Sequence, residues 1–247
     1  MKLDFSLILT CTIEPKNMPD LVRSDPETRL NDYKKAFNFW INNRHIKKII
    51  LIENSNYDLS YFKELAKKFN DKEIEIISSN SNNTFEKSLG KGYGQYLSLK
   101  EIFEKSTIAD KTEYFIDVGA RYCINNFEDI LKDIKISKSD IYINITDNLK
   151  FADANIYGGT KKFFTKFLIP ETAKTNDSIN KIYENCVANA TLKAVSEGMS
   201  LSKTPIYADI DGYIGTNGKQ YKQNFFKKIK LFFFRKLKTY FIQHKKY

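Results

Sequence analysis

Three of the ten glycines of the chain stand within five residues, Gly90, Gly92 and Gly94, with Lys91 and Tyr93 between them. A run of this kind lets backbone N–H groups approach an anion closely while a lysine neutralises its charge. A tight turn packed against a strand would use the same glycines. The spacing is not the dinucleotide fingerprint, which needs a further glycine where Gln95 stands. Residues 212–219 also miss the phosphate-loop spacing, because five residues separate Gly212 from Gly218 and Gln220 replaces Ser or Thr. Acid–base chemistry falls to carboxylates, since His45 and His244 are the only histidines and neither a His-dependent triad nor a His-rich metal site can be assembled from them. The candidates are Asp117, Asp153, Asp209 and Asp211 in loops after expected strands, and Glu184 on an expected helix. Cys11, Cys123 and Cys186 are odd in number and far apart, which indicates neither a disulfide framework nor a zinc site and suits a reducing cytoplasm.

The elements that must hold these residues alternate between two periodicities. Residues 5–12 (FSLILTCT), 47–53 (KKIILIE), 73–78 (EIEIIS), 113–118 (EYFIDV) and 140–145 (DIYINI) read as strands, with a last strand pair or turn in 205–214. Helices are expected from Pro26 to about residue 43, over 59–69, 95–105 and 127–134, through Phe163, Phe164 and Phe167, and over 177–197. The leading β-α-β-α-β order, with helical crossovers, predicts an α/β protein with a mostly parallel, Rossmann-type layered sheet. Ligands bind such a sheet at the carboxyl ends of its strands. Those ends are polar here: Thr10-Cys11-Thr12, Glu53-Asn54-Ser55, Ser78-Ser79-Asn80, and Asp117 with Arg121 behind it. Four polar ends on one edge predict a small-molecule crevice.

The formal charge of +10 suggests nucleic acid until it is located. Residues 222–247 carry nine of the 40 Lys and Arg and none of the 30 Asp and Glu, so residues 1–221 are nearly neutral. In that tail Phe225, Phe226, Ile229, Phe232, Phe233, Leu237 and Tyr240 fall on one helical face, and Lys227, Lys228, Arg235, Lys238 and Lys245 on the other. This is the pattern of an amphipathic helix lying in an anionic membrane surface. A helix docked on the body with a solvated basic face shows the same pattern. The expected organisation is a catalytic domain over 1–221 and a membrane-surface helix over 222–247, with no nucleic-acid partner. The apolar stretch 5–13 is too short and too polar for a secretory signal or a membrane span, which places the protein in the cytoplasm, peripheral on the inner face of the cell membrane.

ILTCTI at 8–13, RxDPExRLxDYxxAxxFW at 23–40, IxLIENSNYDLS at 49–60, GKGYGQ at 90–95 and ARY at 120–122 together resemble a family of bacterial glycosyltransferases from capsule and O-antigen polysaccharide loci. The resemblance covers about residues 7–221, and its layout is similar to the GT-A fold. It implies a nucleotide-sugar donor held by Thr10, Thr12, Glu53, Asn54, Gly90, Lys91, Gly92, Tyr93, Gly94, Asp117 and Arg121. It also implies a lipid-linked glycan acceptor, with Asp153 as the base that activates the acceptor hydroxyl and Asp211 or Asp209 as the alternative. The GT-A pattern carries metal-binding DxD acids at the end of the fourth strand. This chain has Asp117-Val118-Gly119 there, one acid rather than two, so no cofactor is firmly implied and Mg2+ or Mn2+ would lack a complete DxD. Arg121 or Lys91 could instead neutralise the departing nucleoside diphosphate. Two rival functions share the pattern: a sugar nucleotidyltransferase, which would want a glycine- and arginine-rich loop after the first strand, and a non-catalytic membrane-associated adaptor of polysaccharide assembly.

Overall fold

The protein is described by a computed structural model covering residues 3–221 and Phe233. Strand β1 (Ser6–Cys11) is buried along its whole length, and its alternating side chains feed two different cores. Leu7 and Leu9 join one apolar cluster and Ile8 the other, as period-two side chains must in a sheet covered on both faces. The same division repeats in β2 (Lys48–Glu53), where Ile49 and Leu51 face the first core and Ile50 and Ile52 the second.

The first core is closed by α1 (Pro26–Ile41), α2 (Ser60–Ala66) and, further along, α5 (Phe127–Ser137). Helix α1 starts where the sequence says it should: the Asp25 carboxylate accepts from Thr28 N–H at 2.8 Å, and Pro26 occupies the first turn, where no N–H is needed. Its apolar face carries Tyr33, Phe37 and Trp40, and the Trp40 indole N–H donates to the carbonyl of Tyr122 at 2.8 Å. The second core lies under α3 (Lys91–Lys105), the short α4 (Thr107–Asp110), a π-helical segment Phe163–Leu168 continued by the short α6 (Ile169–Thr172), and α7 (Tyr183–Ser196).

The remaining sheet elements are β3 (Glu73–Ser78), β4 (Tyr114–Gly119), β6 (Ile141–Tyr142) and β9 (Ile156–Thr160). The six strands run in the order β3-β2-β1-β4-β9-β6. β1 pairs in parallel with β2 and β4, and β2 with β3, whereas β9 is antiparallel to both β4 and β6. Two small ribbons complete the fold, β5 (Cys123–Ile124) with β10 (Ile210–Asp211), and β7 (Ile145–Thr146) with β8 (Phe151–Ala152). The architecture is α/β with a mostly parallel, Rossmann-like central sheet.

Several boundaries differ from the sequence reading for identifiable reasons. Helix α3 begins at Lys91, inside the glycine run: Gly92 serves close packing, and neither it nor Gly94 breaks the helix. The helix expected from residue 177 begins at Tyr183, since Asn176 caps a separate turn, its side chain accepting from Ser178 N–H, and Asn180 is left-handed at φ +57°. The strand expected over 140–145 is split between β6 and β7, and β9 has no counterpart among the expected strands. The helix expected over 222–247 lies outside the described residues, Phe233 excepted. Among the described residues no helix is long and apolar enough to cross a membrane.

Candidate functional site

Strand order reverses at β1: the chain moves outward through β2 and β3 and returns to β4 on the other side. At such a switch point the loops above the two adjoining strands diverge and leave a crevice. A cleft of about 200 Å³ opens there, between the carboxyl ends of β1 and β4 and the first turns of α3 and α7.

Of the residues expected to hold a donor, Thr10, Thr12, Asn54, Lys91, Gly92, Gly94 and Arg121 line this cleft. The other four are positioned differently. Glu53 is fully buried, and its carboxylate accepts from the backbone N–H groups of Ile13 (3.0 Å), Ser55 (3.0 Å) and Tyr57 (2.9 Å), and from the Ser55 hydroxyl. It ties the loops after β1 and β2 together. Tyr93 packs on Phe85 and Tyr96, at ring separations of 5.1 and 5.3 Å. Gly90 has φ +86°, and a Cβ there would lie 1.8 Å from the Asp177 carboxylate, so the space beside this helix start belongs to a carboxylate of the protein. Gly92 brings α3 against α7, since a Cβ would lie 2.6 Å from Tyr183 Cβ.

Asp117 lies beneath the cleft. Its Oδ2 accepts from the Tyr157 hydroxyl at 2.6 Å and from Gln95 Nε2 at 3.0 Å, and its Oδ1 is buried without a partner among the described residues. Desolvation pushes its pKa up to about 7, against the lowering effect of the hydrogen bonds from Tyr157 and Gln95. Gln95 in turn accepts from Thr10 Oγ1 at 2.6 Å, and the Tyr157 hydroxyl contacts that of Tyr183 at 3.0 Å. Gln95 and Tyr183 reach the cleft wall and connect Asp117 to it. A second acid does not accompany Asp117, and among the described residues no group of three or more His, Cys, Asp or Glu could hold a metal ion. The DxD chemistry implied by the resemblance therefore does not fit these residues.

The cations of the cleft differ in availability. Arg29 is buried and committed: Nε donates to the Thr12 carbonyl at 2.7 Å, Nη1 to the Arg23 carbonyl at 3.0 Å, and Nη2 to the Tyr33 hydroxyl at 2.8 Å. Arg121 donates from Nη2 to the Tyr122 hydroxyl at 3.3 Å, but its Nη1 is buried with no acceptor among the described residues. Burial opposes its charge, yet Tyr33, Tyr122 and Asp32 outweigh it and the guanidinium pKa is raised. Gly215 leaves room for this group, as a Cβ there would come within 2.9 Å of Nη1.

The two expected catalytic acids are separated. Asp153 adjoins the cleft residues Ala154 and Asn155, and its Oδ1 accepts from Asn155 N–H at 3.2 Å and Nδ2 at 2.7 Å. Asp211 lies on β10 and pairs with Lys35 of α1 at 2.8 Å, outside the cleft lining.

No family model matches the chain, and no relative is found among curated proteins. Solved structures similar to it include the glycosyltransferase GlyE of Streptococcus pneumoniae TIGR4, with 10% identity over 81% of this chain and 45% of that one, at a TM-score of 0.48. Another is 4-diphosphocytidyl-2C-methyl-D-erythritol synthase from Anaerococcus prevotii, with 13% identity, 98% and 97% coverage and a TM-score of 0.47. A third is the inositol-1-phosphate CTP transferase of T. maritima, with 14% identity, 82% and 85% coverage and a TM-score of 0.41.

Five residues of the site went unremarked as site residues in the sequence. Arg29 and Tyr33 had a signal, being four apart on one face of α1, and Gln95 directly follows the glycine run. Tyr157 and Tyr183 had none, because only the folding of β9 and α7 around β4 brings their hydroxyls to Asp117.

Proposed function

We propose that this chain is a glycosyltransferase that moves a sugar from a nucleotide-sugar donor to a lipid-linked bacterial surface-polysaccharide acceptor. The observation that carries this reading is the cleft at the switch point, where Arg121 lines the wall and its buried Nη1 has no acceptor among the described residues. Lys91 also lines the cleft; its side chain makes no hydrogen bond among the described residues, and its charge acts on the Asp177 carboxylate, lowering that group's pKa against the effect of burial. A diphosphate would satisfy both cations and would take the bonding electrons when the anomeric C–O bond breaks. The acceptor hydroxyl oxygen forms the new bond to the anomeric carbon, and its proton passes to Asp153 at the rim. Asp117, one layer below, holds Gln95 and, through Tyr157, Tyr183. The basic tail over 222–247 would hold the enzyme on the inner face of the cell membrane, where a polyprenyl-linked acceptor is confined, and so raise its effective concentration.

Calorimetric titration with UDP-, GDP-, CMP- and dTDP-sugars tests the donor. One of them should bind, and Arg121→Met should weaken it about 10- to 100-fold, the worth of a hydrogen bond to a charged group. No binding by any of the four refutes the reading. Release of pyrophosphate from a nucleoside triphosphate with a sugar phosphate would replace it by nucleotidyl transfer.

A further inference from the structure

A second cavity, of about 410 Å³, shares no lining residue with the cleft at the switch point. It is formed by the segment joining β6 to β7, the turn between β7 and β8, and residues 201–207. Its floor is the second core: Ile143 belongs to that cluster, and Ile145 and Leu201 pack against it. Pro205 continues the apolar wall. The volume falls in the range of about 300–1,000 Å³ that holds small-molecule ligands. One wall is fixed against its own preference. Asp147, Asn148 and Leu149 are all left-handed, at φ +50°, +52° and +70°, a conformation that leucine adopts only against steric repulsion. The Lys150 N–H donates to the Asp147 carbonyl at 3.0 Å, and Asn185 of α7 donates from Nδ2 to the Lys150 carbonyl at 2.7 Å, which holds the turn. Leu149 is nevertheless 53% exposed. The polar groups of the cavity are few. Ser202 is buried and its hydroxyl has no partner among the described residues, a state that costs free energy until something supplies the bond. Lys203, beside it in the chain, is exposed and makes no ion pair or hydrogen bond among the described residues. No Asp or Glu lines the cavity.

We propose that this cavity binds a single-chain amphiphile, an aliphatic tail with one anionic head, either carboxylate or phosphate. The tail lies against Ile143, Leu149 and Pro205, while the head accepts from the Ser202 hydroxyl and is neutralised by Lys203. A methylene fills much the same space as a water molecule in the liquid, roughly 30 Å³, so the cavity holds a chain on the order of ten carbons. The apolar face of residues 222–247 is the other candidate occupant, and charge decides against it. That segment carries nine Lys and Arg and no acidic side chain, so it offers Lys203 no counter-charge. The site goes beyond the nucleotide-sugar reading and does not rest on it.

Calorimetric titration of the full chain with decanoate and with decyl phosphate, each below its micelle concentration, tests the site. At least one should bind one-to-one and about ten-fold or more tightly than decanol, the worth of a hydrogen bond to a charged group. Affinity should rise about four-fold per added methylene until the cavity is full. Lys203→Gln should bring the anion down to the level of decanol. Leu149→Asn, which suits a left-handed turn, should weaken binding about ten-fold or more without lowering Tm. Ser202→Ala should weaken binding and leave Tm no lower, since it deletes a hydroxyl that the free protein does not satisfy. A lower Tm with unchanged affinity in that variant overturns the proposal. So does a lack of saturable binding by either anion, equal binding of decanol, or displacement of the anion by a nucleotide-sugar. Binding that appears only after deletion of residues 222–247 would give the cavity to that segment and overturn the proposal as well. Failure of every nucleotide-sugar to bind overturns the donor reading alone and leaves this site standing.

Discussion

Glu53 separates a scaffold from a ligand contact, and its replacement by alanine makes the distinction measurable. The carboxylate is fully buried and serves three backbone N–H groups, those of Ile13, Ser55 and Tyr57, as well as the Ser55 hydroxyl. Removing it strands donors in the loops after β1 and β2, each costing about 1–3 kcal/mol, while relief of the carboxylate's own desolvation offsets part of the loss. A net destabilisation of about 3–5 kcal/mol follows, the range found when one member of a buried charged network is removed. For a chain of this size about 3 kcal/mol corresponds to a fall in Tm of roughly 6–12 °C. Glu53→Gln keeps one acceptor oxygen and should lose less. Thermal unfolding followed by far-UV circular dichroism reads the shift, and titration of the same samples with the bound nucleotide-sugar reads the site. Unchanged Tm in Glu53→Ala together with abolished binding would refute the reasoning and return Glu53 to the donor contacts.

Asp117 should make stability depend on pH in an unusual direction. Between the ordinary carboxyl pKa, near 4, and about 7 the folded chain retains a proton that the unfolded chain has released. Stability should therefore fall as pH rises through that window, by up to about 1.4 kcal/mol per unit, and then level off. Asp117→Asn should remove this component; identical pH profiles of the urea midpoint for the two proteins would sink the idea. Gly92→Ala forces Tyr183 to move, since the added carbon would meet Tyr183 Cβ at 2.6 Å, and should cost about 1–3 kcal/mol with weakened ligand binding. An unaltered Tm would show that α7 yields freely. Deleting residues 222–247 should release the protein from sedimenting anionic vesicles, whereas equal cosedimentation with and without the segment would rule out anchoring by it.

Layer architecture was legible because it rests on local alternation: Leu7 and Leu9 against Ile8, and Ile49 and Leu51 against Ile50, divide between the two cores as their period requires. The crevice was legible for the same reason, since parallel order puts the polar strand ends on one edge. The antiparallel insertion of β9 between β4 and β6 was not, because Gly158 and Gly159 have no side chains to report a strand and are selected by close approach, to Phe115 and Tyr114 in one case and to Phe163 in the other.

Residue types and periodicity alone determined an α/β body, its polar edge, the candidate residues on it and the separation of a nearly neutral body from a basic tail. They did not determine what each acid does. Glu53, Asp153 and Asp211 follow or end strands and Asp117 lies inside one, near its carboxyl end, yet one secures loops, one borders the cleft, one is ion-paired to α1 and Asp117 is a desolvated carboxyl with a raised pKa. Desolvation and hydrogen-bond partners decide the role of a carboxylate. Those partners arrive from 40 residues away for Ile13 and Glu53 and for Tyr157 and Asp117, and from 176 for Lys35 and Asp211, so only the tertiary structure could assign them.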